Sequence, residues 1–245
     1  MTTTKRTKLK ALYSVWPTGA PLTSQDLTSR EISPDLAVHY VRAGWLKRLA
    51  RGVYARSGDA LALHPSLLLL QRQIEGLHVG GKSALDWYGV RQYLSQRTTL
   101  HLYGWVTARL PDWFLQNFPA DYHRKRLFKE EPACPLHVAP FEQQSDAAQV
   151  SAPERALLEL LSEVGVRQSL QEARELMESS YSVRGEVLQE LLLHCTSVKT
   201  VRLCLQFGRE LSLPWIHKLD SAGLPTGGAR PWVSRSKDGL LVLKR

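Results

Sequence analysis

Residues 22–56, LTSQDLTSREISPDLAVHYVRAGWLKRLARGVYAR, constrain the fold more than any other stretch of the chain. Thr23 or Ser24 is placed to cap a short helix over 25–29, and Arg30-Glu31-Ile32 then turns the chain. Ser33 followed by Pro34 is an N-cap and first-position pair. A second helix therefore starts there and runs to about Ala43, with Gly44 at the left-handed position that ends many helices. Residues 45–49 and 52–56 read as two strands around a turn at 50–52. Helix, turn, helix and a basic hairpin make a winged helix-turn-helix, whose second helix fits the DNA major groove.

The charge falls where that reading needs it. Residues 1–58 carry ten Lys or Arg against three acidic residues, net +7, whereas the rest of the chain is net +2 out of a total of +9. A basic face that is merely solvated would explain the charge alone. Its coincidence with the motif points instead to a polyanion, because Lys and Arg contacts to phosphates release counterions.

At 245 residues, the chain has room for a small and a larger domain. We expect a winged unit over 1–60 and a larger domain over 61–245, with a possible division near 150. The fold class is then α+β, with a mixed α/β C-terminal part that includes a helical bundle. No apolar run approaches the roughly 18 residues that span a bilayer. The opening MTTTKRTKLK is basic but has no apolar segment behind it, so it does not read as a secretory signal. Cys134, Cys195 and Cys204 are scattered, without CxxC spacing, and the eight histidines show no HExxH pairing. The expectation is a cytoplasmic protein with no disulfide framework, no structural metal and no cofactor.

Residues 5–15 form the first helix, with Leu9, Leu12, Tyr13 and Trp16 spaced for one buried face. After the hairpin, 65–77 reads as a helix beginning at Pro65, and a Gly80-Gly81 turn leads into another over KSALDWYGV. Residues 98–103 and 136–141 have the character of strands, separated by a proline-rich loop that holds His123, Arg124, Lys125 and Arg126. From Ser151, read as a cap with Pro153 and Glu154 in the first turn, a bundle of helices follows over 151–211, net −2. Glu154, Glu159 and Glu163 are expected on its solvated face. The tail closes on a hairpin around Lys237-Asp238-Gly239.

In the second helix of the motif, Leu36, Ala37, Tyr40 and Val41 share an inner face and Asp35, His39 and Arg42 the other. Arg42 is suited to a guanine edge or a phosphate, His39 to either more weakly, and Ser33 to a phosphate beyond its capping role. Lys47, Arg48, Arg51 and Arg56 of the hairpin, with Lys5 and Arg6 of the N-terminus, complete the expected DNA-binding set. Arg48 and Arg51 lie nearest the tip, while Trp45, Leu46, Val53 and Tyr54 are expected to pack the hairpin onto the helices. Farther along, Lys82, Arg91, Arg124, Lys125 and Arg126 form a candidate second polyanion surface, though solubilising charge is the simpler account of them.

Enzymatic motifs are set aside. Gly80-Gly81-Lys82-Ser83 resembles the end of a phosphate-binding loop, but no run of strand-forming residues precedes it. Thr226-Gly227-Gly228 reads as a structural turn. No GxSxG and no Glu-x-Lys occurs, so no catalytic residue is assigned.

AGWLKRLARGVYAR (43–56), GGKSALDWYGV (80–90), VSAPERALLELL (150–161), WIHKLD (215–220) and TGGAR (226–230), in this order, carry a resemblance that covers nearly the whole chain. The chain resembles the AbiEi family, antitoxins and transcriptional autoregulators of type IV toxin–antitoxin systems, first tied to abortive phage infection. The resemblance implies an N-terminal winged helix that represses the protein's own operon, double-stranded operator DNA as a partner, and a C-terminal antitoxin domain. It further implies a cognate nucleotidyltransferase toxin, opposed functionally without a stable complex, and neither a membrane partner nor an enzymatic activity. The oligomeric state stays open, cooperative binding on DNA included. A ligand-responsive winged-helix repressor is the alternative reading, and a nuclease on a winged targeting module a more distant one.

Overall fold

The computed structural model describes residues 2–90, 99–131, 134–144, 146–236 and 239–244. Its first elements are α1 (Thr2–Val15), β1 (Leu22–Thr23), α2 (Ser24–Thr28), α3 (Pro34–Arg42), β2 (Leu46–Ala50) and β3 (Val53–Arg56). Local chemistry fixes each boundary. Thr23 and Asp26 form a reciprocal capping box, the Asp26 amide donating to Thr23 Oγ1 at 3.1 Å and the Thr23 amide to Asp26 Oδ2 at 2.8 Å. Ser33 Oγ accepts from the Leu36 amide at 3.3 Å ahead of Pro34. Gly44 and Gly52, at φ +75° each, take left-handed positions after α3 and in the hairpin turn.

The three strands form a small antiparallel sheet in the order β1-β3-β2. Leu9, Leu12 and Trp16 of α1 are buried with Leu27, Ile32, Ala37, Tyr40, Leu46 and Tyr54 in a core of their own. Trp45 departs from expectation. It is 51% exposed, because it precedes the strand and stands outside the core that holds Leu46 and Tyr54.

A second core begins under the hairpin and runs through the rest of the chain. Its elements are α4 (Leu63–Gln73), β4 (His78–Val79), α5 (Gly81–Trp87), β5 (Leu100–Gly104), α6 (Asp112–Leu115), β6 (Ala120–Arg124), β7 (Val138–Pro140) and β8 (Gln149–Ser151). Four helices follow: α7 (Pro153–Ser162), α8 (Leu170–Glu178), α9 (Gly185–His194) and α10 (Val198–Glu210). The hairpin of β9 (Trp232–Ser236) and β10 (Gly239–Leu243) closes the chain, its tip at 237–238 outside the described residues. The central sheet has the order β6-β5-β4-β8-β7, parallel at β5/β6 and β4/β8 and antiparallel at β4/β5 and β7/β8.

Several elements differ from the sequence reading. Helix α4 starts at Leu63, which puts Pro65 in its first turn, where a missing amide proton costs nothing. The expected proline-rich loop contains α6 and the five-residue strand β6. Ser151 is not a cap: it ends β8, and Ala152 occupies the N-cap of α7 without a side-chain bond. Among the described residues, no helix is long and apolar enough to cross a membrane.

Candidate nucleic-acid interface

Helix α3 turns Ala37 and Tyr40 inward and leaves Ser33, Asp35, His39 and Arg42 exposed. Lys47, Arg48 and Arg51 of the hairpin are exposed as well. Arg48 Nε donates to the Ala50 carbonyl at 3.3 Å across a bulge in β2. Arg42, Lys47 and Arg51 form no ion pair with any described residue. Val38, 43% exposed, and Trp45 add apolar surface to this end of the molecule. Trp45 was expected to pack the hairpin rather than face outward, and Val38 carries its own sequence signal, since it lies outside the apolar stripe of α3. The side chains of Lys5 and Arg6 lie outside the described residues.

The structure gives Arg56 another task. Its Nη2 donates to the Tyr13 carbonyl at 2.6 Å and also to the Trp16 carbonyl, and its guanidinium lies 4.6 Å over the Tyr13 ring. The open carbonyls at the C-terminus of α1 attract a cation, and Arg56 is held there, away from the surface of α3. Tyr13 Oη in turn donates to the Trp45 carbonyl at 2.5 Å. The hairpin is thereby tied to α1 from both of its ends.

The second candidate surface is divided. Lys82 is ion-paired with Glu172, and Lys125 with Glu163. Arg124 donates to Thr107 Oγ1 at 2.8 Å, and Arg126 lies 5.0 Å over the Trp105 ring. Arg91 lies outside the described residues.

Glu154, Glu159 and Glu163 were expected on a solvated face, and all three are buried, at 1%, 2% and 6% exposure. Glu159 accepts from His78 Nε2 at 2.9 Å, Ser151 Oγ at 2.9 Å, Arg155 Nε at 2.8 Å and the Gly81 amide at 3.0 Å. Burial alone would raise this carboxyl, and these donors more than reverse it, holding it at about 2. Arg155 continues the chain of charges, gripping Glu130 through two bonds of 2.7 and 2.9 Å. Glu163 is likewise brought down to about 2 against its burial, by His123 and Lys125. Glu154 accepts three bonds from Arg184, at 2.8, 2.9 and 2.9 Å.

The same geometry settles the glycine-rich turn. A strand, β4, does precede α5, and Gly76 stands at the spacing a GxxxxGKS pattern requires. Yet His78 and Val79 are paired into the sheet within that would-be loop. The anion at the N-terminus of α5 is the chain's own Glu159, and Lys82 is engaged by Glu172. A phosphate has no place there. Thr226-Gly227-Gly228 is structural too: Arg202 gathers the carbonyls of Thr226, Gly228, Arg230 and Leu243. Among the described residues, no group of three His, Cys, Asp or Glu is placed to hold a metal.

Comparison with known proteins gives two family matches. A model described as "Transcriptional regulator, AbiEi antitoxin N-terminal domain" matches residues 5–96, and one described as "Transcriptional regulator, AbiEi antitoxin, Type IV TA system" matches residues 97–245. Among solved structures, the crystal structure of the RV2827C protein from Mycobacterium tuberculosis is similar, with a TM-score of 0.58 at 16% identity. The similarity covers 94% of this chain and 89% of that one, and it is a likeness of fold. A search of curated proteins gives no match.

Proposed function

The chain belongs to the AbiEi antitoxin family of type IV toxin–antitoxin systems, which are transcriptional regulators, and from that premise we propose that it represses its own operon by binding operator DNA. The N-terminal elements are read as a winged helix-turn-helix. Helix α3 enters the major groove, with Arg42 and His39 toward base edges and Ser33 toward a phosphate. Val38 adds an apolar contact suited to a thymine methyl. Lys47, Arg48 and Arg51 of the hairpin grip the flanking backbone. Lys5 and Arg6 are assigned to the phosphates as well, while Arg56 orients the hairpin and makes no DNA contact.

One observation carries this reading: the outward face of α3 and the hairpin beside it present cations that have no acidic partner among the described residues. Charges left unpaired by the fold are available to phosphates. Footprinting on the DNA upstream of the gene tests it. Protection of a discrete site there supports the reading, and uniform affinity for all duplexes contradicts it.

The second part of the proposal gives the remainder of the chain the antitoxic task against a nucleotidyltransferase toxin, opposed without a stable complex. Residues 61–245 are taken as that domain, and the protein as a cytoplasmic, non-enzymatic regulator. Support comes from the saturation of the buried carboxylates by partners within the chain, which leaves Glu154, Glu159 and Glu163 committed to structure rather than chemistry.

A further inference from the structure

The buried network around α7 opens on one side into a concavity of the C-terminal part. A cavity of about 410 Å³ lies among the end of β6, the turn after α7, the first turn of α10 and the closing hairpin. Lys125, Arg126, Lys199, Ser197, Trp232 and Leu241 are among the residues that line it.

Its electrostatics are unusual within this molecule. Lys125 Nζ and Lys199 Nζ donate to the same carbonyl, that of Ser162, at 3.3 and 2.7 Å, so two ammonium groups sit side by side. Lys199 also donates to the Val164 carbonyl at 2.8 Å. It is left with two acceptors for three protons. Arg126 is exposed, donates no hydrogen bond to a described residue, and is held only by its face against Trp105. Against three cations stands one carboxylate, Glu163, which His123 shares at 3.7 Å. Lys199 itself is part-buried and has no carboxylate partner among the described residues. Burial, and then the proximity of Lys125, lower the pKa of Lys199, the mark of a positive charge short of compensation.

We propose that this cavity binds a nucleotide, its phosphates held by Lys199 and Arg126 and its base against Trp232, while Lys125, whose three protons go to Ser162 O, Ser162 Oγ and Glu163, adds only its positive charge. Size and lining argue for that class. A bare phosphate would leave most of the space empty, whereas small-molecule sites run from about 300 to 1,000 Å³. An indole beside aliphatic side chains suits the face of a base, and a cluster of donors with excess positive charge suits phosphate oxygens. A strand of RNA would call for cations in a line along a groove, and here they converge on one concavity. The inference uses nothing of the operator-binding reading and stands or falls apart from it.

Calorimetric titration of the full-length protein with the four ribonucleoside triphosphates, inorganic triphosphate and adenosine tests the site. At least one nucleoside triphosphate should bind below about 1 mM, with inorganic triphosphate weaker and adenosine weaker still. Arg126→Ala and Lys199→Met should each weaken nucleotide binding by about 10-fold, the worth of one charge-assisted hydrogen bond. Trp232→Ala should weaken the nucleotide by about 10-fold and leave inorganic triphosphate unchanged. Arg109→Ala, an exposed cation outside the lining, should change nothing. Lys199→Met removes two bonds to backbone carbonyls, so Arg126→Ala, an exposed position, decides the matter if that variant does not fold. Absence of binding at 1 mM, or indifference of nucleotide binding to Arg126→Ala, overturns the proposal. Equal binding of nucleotide and inorganic triphosphate, unmoved by Trp232→Ala, overturns it in favour of a plain anion site.

Discussion

Arg56, the last residue of β3, donates to the carbonyl of Tyr13 near the end of α1 at 2.6 Å while its guanidinium covers the Tyr13 ring. One side chain thus fixes the base of the hairpin against the first helix. The hairpin presents Lys47, Arg48 and Arg51, so on the proposed reading its angle to α3 sets how all three meet a duplex.

Arg56→Ala should therefore destabilise the protein by about 1–3 kcal/mol, the cost of leaving hydrogen-bond acceptors without their charged donor. DNA affinity should fall on operator and random duplex alike. Lys in its place should restore little, because a single ammonium does not reproduce two directed donors and a flat cation over the ring. Denaturant titration and gel shift of the two variants check this.

Glu159→Gln should be the more damaging change. It leaves Arg155 buried with part of its charge unanswered, and removing one partner of a buried pair costs about 3–5 kcal/mol. The pH dependence follows from the same groups. Glu159 and Glu163 sit at about 2 in the folded protein against an ordinary value of 4.5. Their depressed values stabilise the fold above 4.5, and that contribution is lost as pH falls from 4.5 toward 2. Chemical denaturation across that window should show a steep loss in the parent protein and a shallower one in Glu159→Gln. Parallel curves would detach the network from acid stability.

Gly80→Ala probes the same carboxylate from the backbone. A Cβ there would be driven into Glu159 and lie 2.7 Å from Tyr103, and four hydrogen bonds prevent the carboxylate from yielding. A drop in melting temperature of several degrees is expected, with DNA affinity intact at temperatures where the variant is folded.

Much of the N-terminal unit was legible because its code is local. Thr23 with Asp26, Ser33 with Pro34, and glycines at 44 and 52 each specify a cap or turn within a few residues. The buried carboxylates were not, since the partner of Glu159 in β4 lies 81 residues upstream and no local spacing announces it. A clue existed in α7: apolar residues at 156, 157, 158, 160 and 161 leave no wide polar face, and a helix apolar nearly all round is a buried one. Strand β6 escaped notice because Asp121, Tyr122, His123 and Arg124 do not alternate, as only His123 is buried among them. Of Trp45, Leu46, Val53 and Tyr54, expected to pack the hairpin onto the helices, only Trp45 is exposed, since it precedes β2.

Separation of the two proposed tasks has a cellular readout. An Arg48→Ala, Arg51→Ala double variant should lose repression of a reporter driven by its own promoter yet still rescue growth against the toxin. Rescue that fails in step with repression would make repression the whole of the antitoxic effect.

The central claim, that α3 reads bases while the hairpin holds phosphates, meets its most direct test in binding titrations on operator and random duplex across a salt series. Arg48→Ala or Arg51→Ala should weaken both DNAs about equally and flatten the salt dependence by about one unit of slope each. Arg42→Ala should instead cost about 1–3 kcal/mol on the operator, with little change on random duplex. Equal losses on both DNAs for Arg42→Ala, with no hairpin variant altering the salt slope, would contradict the account.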